Sequence, residues 1–325
     1  MRTLVLGGTR FIGRAIVDEL LANGHEVLIA HRGETEPPGL PDVPHLHADR
    51  AAFATIRPQI IDFSPDGFVD CRALTRADAR TVLDVLPDDV RLLVLSSVDV
   101  YRAFSALDAD QETDPLPLDE TSTVRTNRYI YRGGDREGLD DYEKLDVEEE
   151  YIARGAAVIR LPMVYGEHDY QRREEFILRR VRAGRTRIPV GPSAWLESRG
   201  YVGEMARGVR LALESNRSAG EIFNLCEAKA WTVGWWIRRM LQAAGFDAEL
   251  VRVPEESLPE DMWWTKTFAQ HLVIDPAKAR ELLGWTHADH AIGIQRSVKW
   301  HLANPPDEAD AGFSADDRAL SPGSI

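Results

Sequence analysis

The chain has 325 residues, 44% hydrophobic and 28% charged, a composition that is ordinary for a globular protein. Its formal net charge of −14 argues against a protein that binds the phosphate backbone of nucleic acids. Its two cysteines exclude a disulfide framework and a cysteine-rich zinc site, and no apolar run reaches the length of a membrane span. With no signal peptide recognisable at the N-terminus, we expect a cytoplasmic protein with neither nucleic-acid nor membrane partners.

The first predicted unit is a strand, a glycine-containing turn and a helix. Thr3–Leu6 is the apolar strand, and 11–22 is the amphipathic helix. The turn between them is Gly7-Gly8-Thr9-Arg10-Phe11-Ile12-Gly13. Such a turn directs backbone N–H groups and a helix N-terminus at a pyrophosphate, so it favours dinucleotide binding over an ordinary strand–helix turn. The spacing fits GxxGxxG, with Arg10 in place of the middle glycine.

Short apolar runs and helical patterns then alternate along the first half of the chain. The predicted strands are 3–6, 26–30, 45–47, 67–71, 91–96 and 157–161, and the helices between them include 11–22, 76–86 and 141–153. This alternation predicts an α/β fold, a doubly wound parallel-sheet Rossmann domain. Ligands of such sheets bind beyond the carboxyl ends of the strands, where the glycine turn would lie.

The second half predicts a smaller, mixed α/β substrate domain. We place the Rossmann domain at 1–166, with part of 200–230 returning to it, and the substrate domain mainly at 167–303. Helices are expected at 171–183, 203–214 and 233–244, and a strand at 221–225. Residues 102–139 interrupt the rhythm as a lid, a binding loop or a disordered segment. The acidic tail, 304–325, is expected to be loosely ordered.

Four polar residues could contact the adenosine part of a dinucleotide. Arg32 follows the second strand, where an acid suits a ribose hydroxyl and a basic residue suits a 2′-phosphate. Arg10 and Arg32 together could clamp that phosphate, which favours NADP slightly over NAD. Both could instead be surface arginines. Asp49 and Arg50 follow the third strand and could meet the adenine, although Asp49 could equally be a helix N-cap.

Two further groups could carry the chemistry. Ser97 ends the fifth strand and could bind a substrate oxygen or satisfy the turn backbone. Tyr142 could be a general acid/base if the nearby Lys144 lowers its pKa. Residues two apart do not face each other on a helix, so the pair converges only if Tyr142 precedes the helix proper.

The substrate side offers weaker signals. Pro162 ends the sixth strand and would pass the nicotinamide, or it is a proline-stiffened exit from the sheet. His168 and Asp169 lack the company needed for a metal site, and none is predicted. Six tryptophans could line a substrate pocket or pack in the core: Trp195, Trp231, Trp235, Trp236, Trp263 and Trp264.

Taken together, the ordered motifs resemble the extended and atypical short-chain dehydrogenase/reductases, the NAD-dependent epimerase/dehydratase type. The resemblance runs from Met1 to about Trp300. It is carried by 7–13, Ser96-Ser97-Val98-Asp99-Val100-Tyr101, 160–166, Tyr201-Val202-Gly203-Glu204, 221–225, Leu283-Gly284-Trp285 and Trp300. It implies that Gly7, Arg10, Phe11, Ile12 and Gly13 hold the pyrophosphate and neighbouring ribose, that Asp49 and Arg50 lie at the adenine, and that Ser97 is the catalytic serine.

The chain departs from the family pattern at two places. The family's Tyr-x-x-x-Lys matches at Lys144, but Asp140 stands at the tyrosine position and Tyr142 is displaced. The arginine that nucleotide-sugar enzymes place five before the valine of Val-x-Asp/Glu is Glu197 here, with Arg199 displaced by two.

The sequence therefore predicts an NAD(P)-dependent epimerase, dehydratase or reductase acting on a small hydroxylated substrate, a sugar or sugar nucleotide among the candidates. A catalytically impaired NAD(P)-binding regulator or redox sensor is the alternative, and a member that binds RNA is a third. Relatives of this type often dimerise, so a homodimer is a candidate assembly.

Overall fold

A computed structural model describes residues 1–134, 136–307 and 312–321. The strands are β1 (Arg2–Leu6), β2 (Glu26–His31), β3 (His45–His47), β4 (Gly67–Asp70), β5 (Arg91–Ser97), β6 (Ala157–Leu161), β7 (Met163–Tyr165), β8 (Arg187–Val190), β9 (Leu196–Glu197), β10 (Arg199–Tyr201), β11 (Ile222–Asn224), β12 (Trp231–Thr232) and β13 (Glu249–Arg252). The helices are α1 (Phe11–Ala22), α2 (Arg57–Phe63), α3 (Arg76–Leu83), α4 (Arg102–Ala109), α5 (Lys144–Ala153), α6 (Glu175–Arg182), α7 (Val202–Glu214), α8 (Val233–Ala243), α9 (Ala277–Leu283), α10 (His290–Ala303) and α11 (Ser314–Ala319).

Seven parallel strands form the central sheet in the order β11-β6-β5-β4-β1-β2-β3. This is the predicted doubly wound Rossmann sheet, so the predicted fold class is confirmed. Strand β11 pairs with β6 and brings the segment near 222 back to the sheet. The other strands form three pairs, β7 with β10, β8 with β13 and β9 with β12. The domain limits at 166 and 303 stay a prediction.

Alternation along the strands fills a separate core on each face of the sheet. Val5, Ile29 and Leu93 face the layer that holds α1 and α7, which pack on each other. Leu4 and Val94 face the opposite layer, to which α3 and α5 contribute. Because successive side chains of a strand point to opposite faces, both cores follow from the apolar runs seen in the sequence.

Helix α5 begins later than predicted. The helix was expected over 141–153, but it starts at Lys144, because the Glu143 side chain accepts the backbone N–H of Leu145 at 3.1 Å and caps the helix. Tyr142 therefore precedes the helix, which is the condition under which it can converge with Lys144.

Two stretches expected to be irregular contain helices. Residues 102–109 form α4, at the start of the segment that interrupts the strand–helix rhythm. The tail forms α11, because the buried Arg180 of α6 donates to both carboxylate oxygens of Asp316 at 2.7 Å and Ala319 packs against Val251. Within the tail expected to be loosely ordered, 314–319 is helical, and the parts at 308–311 and 322–325 lie outside the described residues.

None of the helices in the described residues has the length and apolar character that a bilayer crossing requires.

Candidate functional site

The glycine turn is shaped by close approach of its own backbone. Gly7 has φ +90°, and a Cβ on Gly13 would stand only 2.0 Å from the carbonyl oxygen of Gly7. Any larger residue at position 13 would push α1 away from β1. Gly8 and Thr9 are buried in the same turn, and Ile12 is half-buried.

The N-terminus of α1 is left without a side-chain cap. Arg10 occupies the N-cap position and makes no capping hydrogen bond, and the first turn contains no acidic residue. The Arg10 guanidinium instead lies over the ring of Tyr170, 4.4 Å from its centroid. The amide groups of this turn are thus free of a competing side-chain acceptor, as an anion site at a helix N-terminus requires.

The arginines predicted to clamp a 2′-phosphate contact different partners. Arg32 follows β2, keeps 55% of its side chain exposed and pairs with Glu34 at 2.9 Å. Arg10 stacks on Tyr170. The structure shows each arginine with its own neighbour, and the clamp stays a prediction.

Asp49 and Arg50, which were predicted to lie at the adenine, form hydrogen bonds with other residues of the protein. Asp49 accepts the N–H of Ala51 at 2.8 Å and caps a 3-10 helix over 50–56, which was the alternative interpretation. Arg50 donates to both oxygens of Asp70 at 2.7 and 2.8 Å, and the Tyr151 hydroxyl donates to the same carboxylate at 2.6 Å. Burial alone would raise the pKa of Asp70, but Arg50 and Tyr151 together hold the pKa below its usual value.

A second polar cluster assembles where β5 ends. The Tyr142 hydroxyl donates to Asp99 Oδ2 at 2.6 Å, and the half-buried Ser97 accepts the backbone N–H of Asp99 at 3.2 Å. Asp99 is only 4% exposed, and its Oδ1 has no hydrogen-bond partner among the described residues. Burial raises the pKa of Asp99, and burial together with the Asp99 charge raises the pKa of Tyr142 well above its usual value.

Lys144 lies beside this cluster but is held by backbone. Its Nζ donates to the carbonyls of Ala73 at 2.6 Å and Leu95 at 2.9 Å, and lies 6.0 Å from the centroid of the Tyr142 ring. Burial lowers the pKa of Lys144. The lysine does not produce the lowered tyrosine pKa that the family dyad implies, because desolvation and Asp99 outweigh it at Tyr142.

Residues 71–73, which follow β4, lie between the glycine turn and the Tyr142–Asp99 pair. A Cβ on Gly7 would lie 3.5 Å from Cβ of Cys71, and two residues further on Ala73 accepts the Lys144 bond. The glycine turn, Lys144 and the Tyr142–Asp99 pair therefore lie along one carboxyl-terminal edge of the sheet, with residues 71–73 between them.

A buried ion pair holds Tyr142 in position. Arg125, from the irregular segment after α4, donates to both oxygens of Glu143 at 2.7 and 2.8 Å, and both side chains are fully buried. Tyr131 of the same segment packs on Tyr142 with ring centroids 5.1 Å apart. This segment covers the cluster as a lid would, one of the options that the sequence left open.

The substrate side shows one further pairing. Arg199 donates to Glu197 at 2.8 Å, so the displaced arginine is neutralised by the glutamate at the family position. Pro162 is buried between β6 and β7. Trp195 and Trp236 are buried core residues, Trp231 stacks on Trp235, and Trp264 is 42% exposed.

Sequence reasoning missed Asp99 as a site residue, although it stands in the quoted Ser96–Tyr101 motif. Its signal was an acid two residues beyond a serine at a strand end. Arg125 and Glu143 had no such signal, because their pairing depends on how the segment after α4 folds back.

Known proteins resemble this chain in part of its sequence and in its fold. Residues 3–124 match the model of the NAD dependent epimerase/dehydratase family. The predicted family resemblance is confirmed. Among characterised proteins, the chain is 26% identical to the chloroplast stem-loop binding protein of 41 kDa b of Arabidopsis thaliana, over 98% of this chain and 84% of that protein.

Solved structures share the fold at low sequence identity. UDP-glucose 4-epimerase of Thermotoga maritima, solved with UDP-glucose, superimposes with a TM-score of 0.70 at 19% identity, covering 92% of this chain and 98% of that chain. The dTDP-glucose 4,6-dehydratase of Bacillus anthracis, in complex with NAD, gives 0.70 at 14% identity, covering 94% and 97%. The shared fold therefore extends beyond the matched residues 3–124 to 92–94% of the chain.

Proposed function

We propose that this protein is an NAD(P)-dependent enzyme of epimerase, dehydratase or reductase type, acting on a hydroxylated substrate such as a sugar or sugar nucleotide. The observation that carries the proposal is the Tyr142 hydroxyl, 2.6 Å from Asp99, on the strand edge that also holds the glycine turn. The family match and the sugar-nucleotide enzymes of the same fold support it.

The chain's residues fit a dinucleotide. The first amides of α1 have no side-chain cap, and Gly13 cannot be replaced by a residue that has a Cβ. Both features suit a pyrophosphate bound between Gly7 and Ile12. Arg32 has an exposed guanidinium that would face the adenosine side, while Lys144 and Pro162 would face the nicotinamide side. Arg50 would reach an adenine only by breaking its ion pair with Asp70, so it is a weaker candidate than Arg32 for a contact with the adenosine. A bound nicotinamide would supply the hydride acceptor or donor.

Tyr142, Asp99 and Ser97, which meet where β5 ends, would transfer the proton to or from the substrate. Because its pKa is raised, Tyr142 keeps its proton at neutral pH and can donate it to an oxygen that becomes a hydroxyl on reduction. In the opposite direction, Tyr142 takes the proton of a substrate hydroxyl while passing its own to Asp99. The raised pKa of Asp99 and its unpartnered Oδ1 suit that receiving role. Ser97 would donate to the same substrate oxygen.

A matched pair of variants tests this assignment. With a panel of UDP- and dTDP-sugars and both cofactors, Tyr142→Phe should slow turnover by at least about 100-fold while cofactor affinity is unchanged. Tyr151→Phe is the control, because Tyr151 is also buried and donates at 2.6 Å to a buried aspartate, Asp70 rather than Asp99. Ser97→Ala should also slow turnover. Equal effects of the two tyrosine variants would contradict the proposal.

The regulator hypothesis has its own supporting observation. Lys144 is committed to two carbonyls and does not lower the pKa of Tyr142. If that hypothesis held, the protein would bind cofactor tightly, no substrate on the panel would turn over, and Tyr142→Phe would leave every measured property unchanged.

RNA binding is tested separately because of the chloroplast relative's name. At a net charge of −14 we expect no gel shift with a stem-loop RNA at physiological salt. A shift that weakens steeply with added salt would favour the RNA-binding hypothesis instead.

A further inference from the structure

Three histidines and a glutamate converge at the edge of the sheet, away from Tyr142. His31 ends β2, His45 and His47 begin and end β3, and Glu36 lies in the loop between the two strands. Residues two apart on a strand share a face, so His45 and His47 point to one side, and pairing of β3 with β2 places them beside His31. No metal site was predicted from the sequence, because these four residues lie in three separate segments of the chain.

The spacing of the four ligand atoms matches a tetrahedral ion. Glu36 Oε1 lies 2.8 Å from His47 Nε2 and 3.4 Å from His31 Nε2, and His31 Nε2 lies 2.8 Å from His45 Nδ1. One ligand atom from each residue falls within 4.8 Å of all the others. Metal–nitrogen bonds of 2.0–2.1 Å in a tetrahedron put ligand atoms roughly 3.3 Å apart. Glu36 Oε1 and His45 Nδ1 are 3.9 Å apart, so the printed separations of 2.8–3.9 Å lie on both sides of that value.

From this geometry we propose that His31, Glu36, His45 and His47 form a binding site for a divalent transition-metal ion, with zinc as the fitting occupant. Three imidazoles and one carboxylate are ligands that zinc accepts, and they are unsuited to magnesium or calcium, which prefer oxygen. Four protein ligands leave no open position, so the site is structural. The inference does not rest on the proposed function.

Binding requires one local rearrangement. The backbone N–H of Gly33 donates to His31 Nδ1 at 3.1 Å, which leaves the ring proton on Nε2. Coordination through Nε2 moves that proton to Nδ1 and breaks the Gly33 contact. The Gly33 bond and the hydrogen bonds of His31 with His45 and of His47 with Glu36, each 2.8 Å, are thereby exchanged for coordination bonds.

The ion would tie a loop to the sheet. Glu36 belongs to the connection between β2 and β3, and the same connection contacts α1 through Arg14, which donates to the carbonyls of Pro38 and Gly39. A metal that joins Glu36 to β2 and β3 would therefore fix the loop from its other side. We expect zinc to protect the amides of 33–44 from hydrogen exchange.

The test is zinc binding to protein purified without a histidine tag. Calorimetry with zinc chloride should give one site per chain, and X-ray absorption at the zinc edge should show four nitrogen or oxygen ligands at about 2.0–2.1 Å. His47→Ala and Glu36→Ala should each weaken binding by more than about 10-fold. Both side chains are roughly half exposed, so neither variant should unfold the metal-free protein.

Two control variants separate this site from other surface groups. Glu34→Ala removes an acid of the same loop that pairs with Arg32, and His290→Ala removes a histidine on α10. Neither should change zinc affinity. No stoichiometric binding, six oxygen ligands in the absorption spectrum, or equal losses in ligand and control variants would each overturn the proposal.

Discussion

Asp70 and Asp99 lie at the carboxyl ends of neighbouring parallel strands and differ chiefly in an arginine partner. Asp70 ends β4 and Asp99 follows the end of β5; both are buried, and each accepts a tyrosine hydroxyl at 2.6 Å. Asp70 also receives both Nη atoms of Arg50. No arginine or lysine forms an ion pair with Asp99 among the residues that the structure describes.

The arginine reverses the effect that burial has on the pKa of the carboxyl group. Arg50 outweighs desolvation and holds the pKa of Asp70 below its usual value, whereas desolvation prevails at Asp99 and raises its pKa. A carboxylate with a bidentate arginine stays charged and braces the structure. A carboxylate without one can exchange a proton, which is what chemistry at Tyr142 requires.

The largest effect should come from breaking the Asp70 pair. Asp70→Asn leaves the largely buried Arg50 with only the Asp78 carboxylate, 3.9 Å away, as a charged partner and should lower the free energy of unfolding by about 3–5 kcal/mol. Asp99→Asn removes a charge that has no cation partner and should change that free energy by about 1 kcal/mol or less. Urea unfolding at neutral pH measures both, and equal losses would contradict the comparison.

Turnover should be affected more by Asp99→Asn than by Asp70→Asn. Asp99→Asn should slow turnover by about 100-fold or more, since an amide cannot receive the Tyr142 proton. Asp70→Asn should retain most of its activity at a temperature where it is folded. A large loss of activity in Asp70→Asn under those conditions would remove the distinction between the two aspartates.

The two aspartates should respond to pH with opposite sign. The native pKa of Asp70 is lowered, so its contribution to stability is present at neutral pH and is lost as pH falls through that pKa. The native pKa of Asp99 is raised, so its destabilisation appears as pH rises above about 4. Unfolding of wild type, Asp70→Asn and Asp99→Asn across this range measures both trends. Parallel curves would contradict them.

The smallest effect on stability should be at Arg32, whose ion-pair partner is exposed. Arg32→Ala should change the free energy of unfolding by less than about 1 kcal/mol, in contrast to Arg50, because water screens the Glu34 pair. If Arg32 contacts a 2′-phosphate, the same variant should weaken NADPH binding about tenfold and leave NADH binding unchanged. Equal losses for both cofactors would exclude the NADP preference.

Most of the fold could be predicted from local sequence signals. Six strands of the central sheet were placed within a residue or so, because each is a short apolar run between turns. The short strand β11 of the second half was also predicted, at 221–225, but β8 and β13 were missed. They pair across more than fifty residues and carry no alternation long enough to recognise.

The candidate site was predicted less completely. The glycine turn is a local steric requirement, so its residues could be found from spacing alone. The start of α5 depended on a single cap, Glu143, whose other partner is the distant Arg125. Asp99 was part of a motif recognised in the sequence, but no role was predicted for it. Its lack of an ion-pair partner depends on the residues around it in space, which the sequence does not show.

The sequence by itself determined the parallel sheet, the glycine turn and the family resemblance, because periodicity and glycine placement act over a few residues. Only the tertiary structure decided which buried aspartate receives an arginine and which receives Tyr142, 43 residues away along the chain. The physical reason is that desolvation and ion pairing depend on what surrounds a carboxylate in space. Neighbours in sequence do not fix those surroundings.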